Sequence, residues 1–260
     1  MIIDAHAHIY PAKIAVKASE AIGDFYRAPM AYDGTAERLI AVGDAAGVDR
    51  FLVHSVATVP RQVRSINDYI LGEVAARPDR FIGFATMHPD MEDAEREFRR
   101  VMDAGLRGIK LHPDFQQFAI NDPRMDVIYG LAEGVCPILF HTGDARYAWS
   151  DPDLVRPVLQ KFPRLQVICA HFGGYSQWDK VRRAYDGLSV YVDTSSSFFA
   201  LSPEKIRDLV AFFGTDRMLF GSDYPMWNAA DEIQNVRSLG LPPTEEEAVF
   251  SGNLLRLLRL

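Results

Sequence analysis

Ile2-Ile3-Asp4-Ala5-His6-Ala7-His8-Ile9 opens with two β-branched residues and closes with two histidines spaced by one alanine. Successive side chains of a strand point to opposite faces, so His6 and His8 share a face. Two ring nitrogens presented together are half of a metal site; the plainer alternative is a pair of surface histidines at a frayed end. An open, doubly wound sheet carries a glycine-rich phosphate turn after its first strand. Here His6-Ala7-His8 occupies that place.

Outward from this strand, residues 10–32 have no clean period and read as an insertion with room for a short helix. A helix over 35–46 and a strand over 50–54 follow, and the chain then alternates. Apolar strands are predicted at 81–87, 108–113, 137–141, 165–171, 188–194 and 217–223. Between them lie helices marked by apolar residues at helical spacing, such as Ile66, Ile70 and Val74, or Ile206, Leu209 and Val210. Closing helices are predicted over 231–239 and from 244 towards the end, with Glu245, Glu246 and Glu247 in a first turn capped by Thr244. Asn253 reads as a hydrogen bonder at a helix end. Nearly continuous apolar strands alternating with amphipathic helices imply a parallel sheet covered by helices. Eight such units in 260 residues predict an α/β fold, a single (β/α)8 TIM barrel with an insertion after strand 1, forming one domain over 1–260.

All seven histidines fall at or just beyond the C-terminal end of a predicted strand: His6, His8, His54, His88, His112, His141 and His171. In a barrel those ends form one face, on which active sites are built. Gly221-Ser222-Asp223-Tyr224-Pro225 adds a carboxylate at the same level. Arg61 and Arg146 also belong to this face, with Tyr147, Trp149, Phe172, Phe198, Tyr224 and Trp227. An arginine there can clamp a carboxylate in two-pronged fashion and an aromatic can hold a planar ring; each, taken alone, can equally be rim packing.

Composition sets the outer bounds. Lys+Arg 28 against Asp+Glu 35 gives a net charge of −7, which argues against nucleic acid or an anionic membrane as partner. No apolar run approaches the roughly 20 residues of a membrane span, and a charged strand starting at residue 2 leaves no space for an apolar leader, so the expected compartment is the cytoplasm. Cys136 and Cys169 lie in or beside apolar runs and read as core residues, not a disulfide.

Asp4-Ala5-His6-Ala7-His8, the histidines ending strands five and six (Ala170-His171-Phe172-Gly173-Gly174) and Gly221-Ser222-Asp223 together resemble the amidohydrolase superfamily. Gly108-Ile109-Lys110-Leu111-His112-Pro113 and Gly252-Asn253-Leu254-Leu255-Arg256-Leu257 are similar to segments of its amidohydrolase-related branch, which includes aminocarboxymuconate-semialdehyde decarboxylase and pyrone dicarboxylate lactonase. The resemblance implies His6, His8, His141 and Asp223 as ligands of one divalent ion, zinc by preference, with His171 beside the bound water. It implies Asp223 and His171 as the catalytic pair, Asp223 passing a proton between water and leaving group. Lys110 is either a salt-bridge or substrate group or, in a binuclear alternative, a carbamylated bridge between two ions. His112 either shapes the pocket or meets substrate. With Arg61 and Arg146 these make up the candidate substrate contacts. The expected reaction is hydrolysis of an ester, lactone or amide of a small carboxylated molecule by metal-bound hydroxide. The alternative is non-oxidative decarboxylation of an aromatic or muconate-type acid, and a non-catalytic metal-binding barrel is a third reading. A homodimer is a further implication of the resemblance.

Overall fold

The computed structural model describes residues 1–260. The strands are β1 (Ile3–His8), β2 (Arg50–His54), β3 (Phe81–Gly83), β4 (Ala85–Thr86), β5 (Ile109–Leu111), β6 (Ile138–Phe140), β7 (Val167–Cys169), β8 (Tyr191–Asp193) and β9 (Met218–Leu219). The helices are α1 (Ala12–Tyr26), α2 (Ala36–Ala46), α3 (Val63–Ala76), α4 (Ala94–Asp103), α5 (Pro113–Gln116), α6 (Asp126–Ala132), α7 (Val155–Lys161), α8 (Val181–Tyr185), α9 (Pro203–Phe213), α10 (Ala229–Arg237), α11 (Pro243–Glu247) and α12 (Asn253–Leu258). No helix is long and apolar enough to cross a membrane.

The chain divides into two compact units, one of Met1–Ser55, Glu73–Ile82 and Thr194–Leu260, the other of Val56–Gly72 and Gly83–Asp193. In the first unit all six residues of β1 are buried. This strand runs parallel to β2 with Ile3 opposite Arg50 and His8 opposite His54, and the register shifts between Asp4 and Ala7. On its other side the amides of Ala5 and His8 donate to the carbonyls of Phe220 and Tyr224, both at 2.8 Å, and the amide of Asp223 donates to the carbonyl of His6 at 2.9 Å. Asp223 is therefore held against the strand that carries the histidine pair. In the second unit β4, β5, β6, β7 and β8 pair in parallel in chain order. The buried thiols of Cys136 and Cys169 are unbridged, and burial pushes each up to about 12.

Four departures from the sequence reading have physical causes. Residues 10–32 hold a helix of 15 residues, and its buried residues are Ala15, Ser19 and Gly23. The stripe facing inward is made of small side chains four apart, whereas Ile14 and Val16 point outward, so the apolar pattern misleads. The single strand expected over 81–87 is divided at Phe84, the first part pairing in the sheet of β2 and the second with β5. Helix α11 begins at Pro243 after Pro242 with no side-chain cap, so Thr244 lies inside the first turn and is not its cap. The closing helix is broken by a π turn, Ala248–Gly252. There the carbonyl of Val249 accepts from the amide of Phe220 at 3.0 Å, while Asn253 Nδ2 donates to the carbonyls of Thr215 and Met218, each at 2.7 Å.

Candidate metal centre and active site

In the first unit, His6 Nε2 and His8 Nε2 lie 3.3 Å apart. Asp223 Oδ1 stands 3.4 Å from the first and 3.7 Å from the second. Ligand atoms about 2.0–2.2 Å from a common tetrahedral ion are about 3.3–3.6 Å from one another. Two imidazoles and a carboxylate at that mutual spacing fit a divalent cation. His54, at the end of β2, sets its ring edge-on to both, with centroids 5.0 Å from His6 and 4.4 Å from His8. The rings of Tyr10 and His8 are stacked at 6.5 Å, and burial, followed by the charge of Asp223, holds the phenol of Tyr10 well above its ordinary range.

Asp4 fixes the floor of this arrangement. Its Oδ1 accepts from the amides of His6 and Ser222 at 3.0 and 2.9 Å, and its Oδ2 accepts from Ser222 Oγ at 2.5 Å. The carboxylate thus ties the start of β1 to the segment that leads into Asp223. Hydrogen bonds to a charged group contribute about 1.5–3 kcal/mol each, and removing the acceptor strands buried donors. Asp4→Ala is expected to lower stability by about 3 kcal/mol, read from the midpoint of urea unfolding. A midpoint equal to wild type would remove Asp4 from this role.

In the second unit, His141 Nδ1 and His171 Nε2 are 3.0 Å apart. His112 stacks on His141 with centroids 4.1 Å apart and on Phe115 at 3.7 Å. Asp114 Oδ2 lies 3.7 Å from His141 Nε2, and burial pushes the Asp114 carboxyl up to about 7. His171 has φ 61. Its left-handed backbone is clamped by Asp193, whose Oδ1 accepts from the His171 amide at 3.0 Å, and by Trp178, whose Nε1 donates to the His171 carbonyl at 2.8 Å.

Of the residues singled out in the sequence, His6, His8 and Asp223 converge in the first unit, and His112, His141 and His171 converge in the second. Lys110 is fully buried in the middle of β5. Arg61 is exposed on a short 3-10 turn, Pro60–Gln62. Arg146 grips Asp144 through Nε at 3.0 Å and Nη2 at 2.6 Å. Sequence reasoning passed over Ser195 and Ser196, which touch His6 and Asp223. The signal available was the hydroxyl run Thr194-Ser195-Ser196-Ser197 directly after a strand end.

Residues 3–260 match the amidohydrolase family. The chain belongs to it. This amidohydrolase is 25% identical over 257 residues, 76% of each chain, to gamma-resorcylate decarboxylase of Polaromonas sp. strain JS666. Among solved structures it is similar to a 2,6-dihydroxybenzoate decarboxylase complexed with 2,6-dihydroxybenzoate, at 20% identity and TM-score 0.78, covering 100% of this chain and 99% of that one. It is also similar to 5-carboxyvanillate decarboxylase of Novosphingobium aromaticivorans, complexed with manganese and 4-hydroxy-3-methoxy-5-nitrobenzoic acid, at 19% identity and TM-score 0.79, covering 100% and 96%. The fold is the (β/α)8 TIM barrel with its insertion after the first strand. The chain is an enzyme of the amidohydrolase superfamily. The relatives are decarboxylases, and this overturns the expectation, formed from the sequence, of ester, lactone or amide hydrolysis. The ligand set made that error natural, because it suits an activated water as well as a bound carboxylate.

Proposed function

We propose that this amidohydrolase is a metal-dependent, non-oxidative decarboxylase of a small hydroxylated aromatic acid, acting as one domain. The observation that carries the reading is the end-to-end similarity to decarboxylases of ring carboxylic acids, one of them complexed with manganese. The convergence of His6, His8 and Asp223 supports it independently. These three would hold one divalent ion, and the family resemblance adds His141. When bound, the ion supplies positive charge that draws in the substrate's carboxylate and phenolate oxygens. Manganese is the first ion to load, zinc the one expected from the donors alone.

The remaining chemistry falls to side chains. In this reading Asp223 delivers a proton to the ring carbon that bears the carboxylate. The carbon–carbon bond then breaks, its electrons return to the ring, and carbon dioxide leaves. The Oδ2 of Asp223 accepts from the Ser196 hydroxyl, which leaves Oδ1 turned to the two histidines. His171, with its backbone clamped on both sides, is the second catalytic group that the resemblance implies. His112, which lies flat on His141, remains with Lys110, Arg61 and Arg146 among the candidate substrate contacts.

The test is a panel of hydroxybenzoates, a carboxyvanillate, lactones and esters, each incubated with manganese-loaded protein. Carbon dioxide is expected from at least one hydroxylated aromatic acid, with the decarboxylated phenol as the other product. Proton release from an ester or lactone, with no carbon dioxide from any acid, would end the proposal.

A further inference from the structure

Ser196 sits one turn of loop beyond β8, buried, with φ 45. Its Oγ is 2.5 Å from Asp223 Oδ2 and 2.8 Å from the indole Nε1 of Trp227. The direction of these two bonds follows from chemistry. An indole N–H can only donate, so it gives its proton to Ser196 Oγ. The serine has a single proton, and the carboxylate oxygen at 2.5 Å takes it; the Sδ of Met226, at 3.8 Å, is a much weaker acceptor. The chain of bonds runs one way, from Trp227 through Ser196 to Asp223.

That polarity commits Oδ2 as an acceptor and fixes the rotation of the carboxylate, which leaves Oδ1 facing His6 and His8. The neighbouring Ser195 does the matching work on the other ligand. Its Oγ is 3.2 Å from His6 Nδ1. A lone pair on Nε2, where His8 and Asp223 converge, requires the proton on Nδ1, and Ser195 Oγ is placed to accept it. The outer end of the chain of bonds is aromatic: the rings of Trp227 and Phe199 stack at 4.9 Å and 24°, and Phe199 is 56% exposed.

We propose that Ser196 is a positioning residue for Asp223, polarised by Trp227, and that it sets divalent-ion affinity by holding Oδ1 towards the histidine pair. This rests on the metal-binding reading above. Partners of this kind alter metal affinity by about 10–100-fold when removed.

The discriminating variant is Ser196→Gly. Glycine accepts the positive φ of this position, so the backbone gains ease while the hydroxyl is lost. The experiment titrates Mn2+ into the metal-free protein, measures melting of the same samples without metal, and repeats both for Trp227→Phe and for the double variant. For Ser196→Gly, Mn2+ affinity is expected to fall about 10–100-fold with metal-free melting equal to or above wild type. Trp227→Phe keeps the ring stack and is expected to lose a few-fold of affinity. Because the bonds are in series, the double variant is expected to bind no more weakly than Ser196→Gly alone. Wild-type affinity in Ser196→Gly, or losses that multiply in the double variant, would overturn the relay. A wild-type protein that takes up no Mn2+ would overturn the metal-binding reading and the relay with it.

Discussion

Replacing His6 and His8 together by alanine is expected to leave a folded chain that retains no divalent ion and releases carbon dioxide about a thousandfold more slowly. The two Nε2 atoms, 3.3 Å apart, form two of the three donor positions that converge in the first unit. Asp223 and the His141 that the resemblance implies make a weak site without the histidine pair, and are not expected to keep the ion. Metal-supplied charge stabilisation is worth several kcal/mol, and about 1.4 kcal/mol corresponds to a tenfold change in rate. The fold is expected to survive, because β1 is held on both sides by backbone bonds that do not involve either ring. Metal content by elemental analysis, circular dichroism and carbon dioxide release on the same preparation make the test. Unchanged turnover in a variant shown to be metal-free would remove the metal from the chemistry altogether.

Gly143→Ala is expected to produce the largest loss of stability from a single methyl group. Gly143 follows His141 by two residues and has φ 93, a conformation that side chains resist. A Cβ there would lie 2.2 Å from the carbonyl oxygen of Gly174 and 2.3 Å from its carbonyl carbon. These are backbone atoms and cannot swing aside. The Gly143 amide donates to the Ser150 carbonyl at 2.7 Å, and its carbonyl accepts from the Ser176 amide at 3.1 Å, so the glycine cannot retreat either. Unfavourable φ costs about 1–3 kcal/mol and forced overpacking about 1–3 more, out of roughly 5–15 for a whole protein. The expected result is a drop of about 4 kcal/mol, or roughly 10 °C in melting temperature. The contacted Gly174 lies three residues after His171, so the surviving folded fraction should also be impaired in turnover. Gly72→Ala is the control: it lies inside α3 with open space around its Cβ and should be neutral or gain up to about 1 kcal/mol. Equal melting of the two variants would contradict the packing argument.

The sequence exposed the barrel because most of its strands are short apolar runs that end in histidine, and the chemical face because those histidines share one end. The strand over 50–54 was legible to the residue, since Phe51, Leu52 and Val53 form an apolar run closed by Arg50 and His54. Helix α1 was not, because its inward stripe is Ala15, Ser19 and Gly23 and no hydrophobicity pattern records small residues that pack closely. Asp223 stood out as a carboxylate at a strand end, whereas Ser195 and Ser196 did not, since a serine run is ordinary loop composition until its hydroxyls are seen on particular atoms. The reaction type was the least legible. The same imidazoles and carboxylate serve hydrolysis and decarboxylation, and what divides them is the substrate that fits.

The uneven step between Asp4 and Ala7 in the ladder of β1 and β2 has a further bearing on how this enzyme can fail. Side-chain direction along a strand is a two-letter frame, and a local irregularity shifts that frame for everything after it. Deleting Ala5 would invite the ladder between β1 and β2 to become regular. It would also rotate the imidazoles out of phase with Asp223. Activity is therefore expected to fall further than the loss of the Ala5 amide bond to Phe220 lowers melting, so variants of this strand are best judged by turnover and melting together.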